Sequence, residues 1–132
     1  MNEKNLKLIL GDVKTIALVG ASSNANRDSF KVMKFLKDFG YEVFPVNPNL
    51  ANTKILGQKC YPNLLSIEKS IDMVDIFRAE EFIFEITKDA VNLKAKILWT
   101  QLGLFCDKSK FFAQKEGLIV VMDQCPKKIL EN

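Results

Sequence analysis

A chain of 132 residues is long enough to build one hydrophobic core and too short for two autonomous enzyme domains. Its 48% hydrophobic and 27% charged residues are the balance of a folded globular chain, and a net charge of +3 from nineteen basic and sixteen acidic residues is too small to make nucleic acid the expected partner. There is no histidine, which excludes Ser-His-Asp hydrolysis, Cys-His proteolysis, a phosphohistidine intermediate and histidine-ligated zinc together.

In chain order, Leu6 to Leu10 reads as a helix closed by Gly11, and Thr15-Ile16-Ala17-Leu18-Val19-Gly20 as a buried strand ending in glycine. Asp28 to Phe39 places Val32, Met33, Phe35, Leu36 and Phe39 at helical spacing, with Gly40 as the stop. Tyr41 to Pro48 is β-rich up to its prolines, and a turn at Gly57 precedes a short candidate strand, Lys59-Cys60-Tyr61. After a short candidate helix over 63–69, Met73 to Phe77 reads as a strand and Glu80 to Leu93 as an amphipathic helix. Ala95 to Gln101 is a further strand, Asp107 to Glu116 a helix ended by Gly117, and Leu118 to Asp123 the final strand. Near-continuous apolar strands alternating with helices predict an α/β, Rossmann-like, doubly wound and mostly parallel sheet of about five to six strands, with helices on both faces. No linker or internal repeat divides the chain, so residues 1–132 are expected to form one domain.

Three cysteines, Cys60, Cys106 and Cys125, lie far apart with no CxxC pair, which fits neither a disulfide framework nor a thiolate metal site. The opening Met-Asn-Glu-Lys-Asn-Leu-Lys is polar, and no window approaches the ~18 apolar residues of a membrane span. A cytoplasmic chain with reduced thiols, no bound metal and no membrane association is expected.

A sheet of this kind takes its ligand outside the carboxyl ends of the strands, where the strand order reverses. The loops there carry the candidate residues. After the first strand, Gly20-Ala21-Ser22-Ser23-Asn24-Ala25-Asn26-Arg27 joins a glycine, hydroxyls and an arginine to a helix N-terminus, which is anion-binding chemistry. It is not the dinucleotide fingerprint, because Ser22 and Ala25 stand where GxGxxG would need glycines. After the second strand, Val46-Asn47-Pro48 offers a donor and an acceptor on Asn47 where an NAD enzyme usually carries an acid, so NAD is disfavoured. Phe77 and Arg78 end the strand expected to flank the first one. Gln101 and Gly103 end the next. Cys125, in Asp-Gln-Cys-Pro, places a thiol near the cleft and beside a helix N-terminus. With no histidine to activate it, a catalytic thiol is the weaker reading. Asp72, Asp75 and Asp123 are read as strand-end and surface charges, and Trp99 as core.

Five ordered motifs carry a family resemblance. They are Ile16-Ala17-Leu18-Val19-Gly20-Ala21-Ser22 with Arg27 and Ser29; Gly40 through Pro48; Val74-Asp75-Ile76-Phe77-Arg78; Trp99-Thr100-Gln101-Leu102-Gly103; and Val120 through Pro126. Over almost its whole length the chain resembles the small bacterial CoA-binding proteins, single-domain relatives in fold of the CoA-binding domain of the succinyl-CoA synthetase alpha subunit. The resemblance implies that Gly20, Ala21, Ser22 and Arg27 handle phosphates, that Val46, Asn47 and Pro48 contact the nucleotide, and that Phe77 and Arg78 line the opposite side. It implies coenzyme A or an acyl-CoA as the ligand, held by a non-catalytic carrier, sensor or partner module. A homo-oligomer or an enzyme that handles acyl-CoA is the partner compatible with that role. The alternative is an NAD(P)-linked or Cys125-dependent thiol or redox enzyme. A mixed disulfide between CoA and Cys125 is a further possibility that needs no general base.

Overall fold

The computed structural model describes all 132 residues. Its main sheet holds β1 (Thr15–Val19), β2 (Glu42–Val46), β5 (Met73–Ile76), β6 (Ile97–Thr100) and β7 (Ile119–Val121). The strands are all parallel and lie in the order β2-β1-β5-β6-β7. The chain moves outward from β1 to β2, then returns to place β5 against the other side of β1. The strand order therefore reverses between β1 and β5, as expected of a doubly wound sheet.

Each strand buries side chains on both faces, which is why the sequence shows apolar runs in place of alternation. On one face Ile16, Leu18, Met73, Ile97, Trp99 and Val121 meet α1 (Glu3–Gly11), α2 (Asp28–Phe39) and α5 (Pro126–Glu131) through Leu6, Leu10, Val32, Met33, Leu36 and Ile129. On the other, Ala17, Val19, Val74, Ile76, Leu98 and Val120 meet Ile83 and Ala90 of α3 (Glu80–Asn92) and Ala113 of α4 (Asp107–Lys115). Tyr41 donates a 2.6 Å hydrogen bond to the Leu10 carbonyl, tying α1 to the start of β2. No helix is long and apolar enough to cross a membrane.

The structure differs from the sequence reading in three places. Lys59-Cys60-Tyr61 does not join the main sheet. Instead β4 (Gln58–Lys59) pairs antiparallel with β3 (Lys54–Ile55) around a turn in which Leu56 and Gly57 both have positive φ. Tyr61 makes one parallel bridge to Val46, where its N–H reaches the Pro45 carbonyl and its own carbonyl accepts from Asn47 N. Pro45 has no N–H to extend that ladder. The candidate helix over 63–69 shortens to a single 3-10 turn at Leu64–Ser66, capped by the Asn63 side chain.

Asp75 is the third difference. It is not a surface charge: it sits fully buried on the central strand, opposite Leu18 and Trp99, with neither carboxylate oxygen hydrogen-bonded. By contrast Asp72 caps the start of β1, accepting from Lys14 N at 2.8 Å, and Asp123 accepts from Gly103 N at 2.7 Å.

Burial pushes the Asp75 carboxyl well above the usual carboxylate range, which favours its protonated form in the folded chain. The folded chain keeps a proton that the unfolded chain releases above an ordinary value of 3.8, so stability falls as pH rises from there toward the folded value. The slope is at most one proton's worth, roughly tenfold in the folding equilibrium per pH unit. Urea unfolding between about pH 5 and about pH 8 is expected to show the midpoint falling in the wild type and a flatter profile in Asp75→Asn, whose side chain cannot ionise. Identical slopes in the two proteins would show that Asp75 does not titrate on folding.

Candidate functional site: the cleft at the strand reversal

The end of β1 is set by one close approach. Gly20 has φ +92°, and a Cβ built on it would lie 2.7 Å from the Phe77 carbonyl oxygen and 2.9 Å from its carbon. Its N–H and that of Ala21 both donate to the Val46 carbonyl, at 3.0 and 3.2 Å. Gly20 therefore locks the β1 loop between the loops that leave β2 and β5, and its amide is engaged within the chain. Asn47 closes the same junction. Its Nδ2 donates to the Ala21 carbonyl at 2.8 Å, and its Oδ1 accepts from Asn49 N at 2.8 Å.

Beyond that lock the loop opens toward α2. Ser22 Oγ accepts from Asn24 N, and Asn24 Oδ1 accepts from Asn26 N, turning the chain into the helix. Arg27 occupies the N-cap position and supplies no side-chain cap, so the first amides of α2 are left for another acceptor. The helix dipole favours negative charge there.

Two lobes of a cleft meet over this region. The first, about 520 Å³, is lined by Gly20, Ala21 and Ser22, by Arg27, Asp28 and Ser29 of the helix start, and by Asn47, Asn49 and Leu50 on the far wall. The second, about 400 Å³, runs over the ends of β5, β6 and β7, past Gln101, Leu102, Leu104 and Cys125. Asp28, Phe77 and Arg78 border both lobes. Volumes of several hundred Å³ are those of small-molecule sites.

The rim is cationic. Arg27, Lys31, Arg78 and Lys128 line the lobes and join no ion pair, whereas Lys127 bonds Glu131 at 2.8 Å; Asp28 is the acid among the lining residues. The Arg78 guanidinium carbon lies 4.2 Å from the Phe82 ring centroid, a cation–π contact that braces the side chain beside the cleft.

Of the residues singled out in the sequence, Gly20, Ala21, Ser22, Arg27, Asn47, Phe77, Arg78, Gln101 and Cys125 come together on this cleft. Val46 is buried and takes part through its carbonyl alone. Pro48 begins a 3-10 turn and stands outside the lining, where Asn49 and Leu50 form the wall. Gly103 is also outside it, in a left-handed turn that its N–H ties to Asp123. Sequence reasoning passed over Asp28, Lys31, Leu104 and Lys127. The first two were recoverable, because residues at the N-terminus of α2 and one turn on share the face beside the loop.

A family model described as "CoA binding domain" matches residues 14–131. The chain belongs to that family. The protein YneT of Bacillus subtilis is 34% identical over 126 residues, covering 96% of this chain and 92% of that one. The ADP-forming acetate–CoA ligase of Methanocaldococcus jannaschii is 38% identical over 63 residues, which are 48% of this chain and 9% of the ligase. Among solved structures, a hypothetical protein from Pyrococcus horikoshii OT3 superposes with a TM-score of 0.93 at 37% identity, covering 99% of this chain and 91% of that one. One from Thermus thermophilus reaches a TM-score of 0.94 at 27% identity, covering 99% and 98% of the two chains.

Gly20→Ala tests the lock directly. The added methyl meets a backbone carbonyl and the left-handed φ is strained for alanine, so a loss of at least ~2 kcal/mol is expected in urea unfolding. An unchanged midpoint would mean that the two loops separate freely.

Proposed function

We propose that the chain binds coenzyme A or an acyl-CoA across the C-terminal ends of its parallel strands, as a non-catalytic carrier, sensor or partner module. The observation that carries this reading is the uncapped start of α2 flanked by the unpaired Arg27 and Arg78, in a lobe continuous with a second, more apolar one. CoA has matching parts: phosphates at one end and a long, weakly polar pantetheine arm at the other. Phosphates at the α2 start would accept from its amides and be clamped by guanidinium groups. Ala21, Ser22 and the Asn47–Leu50 wall would border the nucleotide. The arm would pass Phe77 and Arg78 into the second lobe.

Family membership supports the ligand class, and the residues support its placement. Within the Methanocaldococcus ligase the matching segment is a small part of a long enzyme. This supports a partner that handles acyl-CoA, with a second copy of the chain as the other candidate. Asp28, at the start of α2, is the one carboxylate that lines the cleft, and Asn47 stands where a ribose-binding acid would follow β2; binding is the reading these residues support best.

Isothermal calorimetry of CoA into the ligand-free protein is expected to give a one-to-one exothermic isotherm, weaker for dephospho-CoA and absent for NAD. Arg27→Ala and Arg78→Ala are each expected to weaken CoA binding by about 1.5–3 kcal/mol, as for a charge-assisted phosphate bond. No heat at millimolar CoA, or equal affinity for NAD, would contradict the proposal.

A further inference from the structure

Cys60 and Cys106 have sulfur contacts inside the fold: Cys60 lies 3.7 Å from the Asn47 carbonyl, and Cys106 accepts from Ser109 Oγ at 3.1 Å. Cys125 is 6% exposed and packs with the core on the α1, α2 and α5 face, but its sulfur makes no hydrogen bond, forms no disulfide and lines the second lobe of the cleft. Lys127 shares that lining, and its ammonium is held charged chiefly by its hydrogen bond to Glu131, with the Cys125 sulfur a smaller favourable neighbour. The thiolate is the form that exchanges with disulfides.

A second feature of the same lobe points to a ligand that bears amides. Gln101 is 8% exposed and lines the lobe, yet its Oε1 accepts no hydrogen bond. A buried amide oxygen without a partner is costly unless a bound group supplies a donor. The terminal torsion of glutamine is broad, so the amide can turn to a donor entering the lobe. The pantetheine arm carries two amide N–H groups along its length.

The spacing also fits. The end of β1 and the end of β7 are three strand intervals apart, ~14 Å at the ~4.8 Å spacing of paired strands. A pantetheine arm of about twelve bonds reaches ~14 Å at the ~3.6 Å per three bonds of an extended chain. With phosphates at the α2 start, the ligand thiol arrives at the end of the cleft where Cys125 stands.

We propose that Cys125 is a thiol-exchange site that holds coenzyme A in a mixed disulfide. The inference rests on the CoA-binding reading above and goes beyond it by naming a covalent, redox-controlled mode of retention. The co-reactant is the symmetrical disulfide of CoA. The Cys125 thiol gives its proton to solvent, and its thiolate attacks one sulfur of that disulfide. The CoA–CoA sulfur bond breaks as the Cys125–CoA bond forms. The second CoA leaves as a thiolate and takes up a proton. One disulfide replaces another, so there is no net oxidation, and a reducing thiol reverses the step. Gln101 positions the arm. No histidine is needed.

Intact-mass spectrometry with peptide mapping tests this on the folded wild-type chain, incubated in parallel with CoA disulfide and glutathione disulfide at equal concentration. One CoA adduct per chain is expected, on the Cys125 peptide, forming at least ~tenfold faster than the glutathione adduct because the arm is bound before it reacts. The adduct should vanish with dithiothreitol, persist in Cys106→Ser and be lost in Cys125→Ser. Equal rates for the two disulfides, or modification mapping to Cys106, would overturn the proposal. Calorimetry of CoA into the reduced wild type separates the two readings: binding without an adduct overturns the exchange site alone, and no binding overturns both.

Discussion

The contact between the backbone at Gly20 and the Phe77 carbonyl is the constraint on which the rest of the site depends. Three loops leave adjacent strand ends at the reversal point, and each must turn away without closing the cleft. Gly20 permits this by bringing β1 and β5 closer than a Cβ allows, while the Val46 carbonyl takes both the Gly20 and Ala21 amides. Asn47 binds the third loop to the first from its side chain. The floor is thus made of backbone contacts and the Asn47 side-chain bond, and the other side chains that line the cleft stand above it on α2, on the β5 loop and at the end of β7. A rigid floor with side chains projecting from element ends is what preorganised recognition requires.

That floor explains how charge is distributed over the cleft. The amides nearest the sheet are spent on holding loops together, so the donors without a partner in the chain lie farther out, at the uncapped start of α2 and on guanidinium groups on both sides. Arg78 is braced against Phe82, so it loses less freedom on meeting a phosphate than an unsupported side chain would. Farther along, the lining becomes apolar around Leu102 and Leu104 and ends at Cys125. A ligand charged at one end and extended at the other matches that gradient, and the family to which the chain belongs is defined by a ligand of that form.

Much of the architecture was legible because two-sided burial leaves a plain sequence mark. Ile16 to Val19, Val74 to Ile76 with Met73, and Ile97 to Trp99 read as strands because helices cover both faces. Of the β3–β4 hairpin the turn at Gly57 was legible, but its pairing apart from the main sheet was not, since left-handed Leu56 and the carbonyl-only edge at Pro45 leave no periodic pattern. Asp75 misled for a different reason: a carboxylate is ordinarily a surface group, and only the strand order shows it at the centre of the sheet. Phe77, Arg78, Gln101 and Cys125 were singled out from their place at strand ends and Arg27 from the start of α2, and all five line the cleft. Gly20 and Asn47 were found as well, but their bonds run to other loops of the chain, a tertiary pairing that no local spacing encodes.

The central claim is that one continuous cleft, from the start of α2 to Cys125, is the binding site. Amide NMR of the reduced, isotopically labelled chain titrated with CoA tests it most directly. The account predicts shifts concentrated at Ser22, Asp28, Ser29, Arg78, Gln101 and Cys125, with the exposed residue Ile119 of edge strand β7 and the β3–β4 hairpin unmoved. Shifts confined to another face, or scattered without reaching the α2 start, would contradict it.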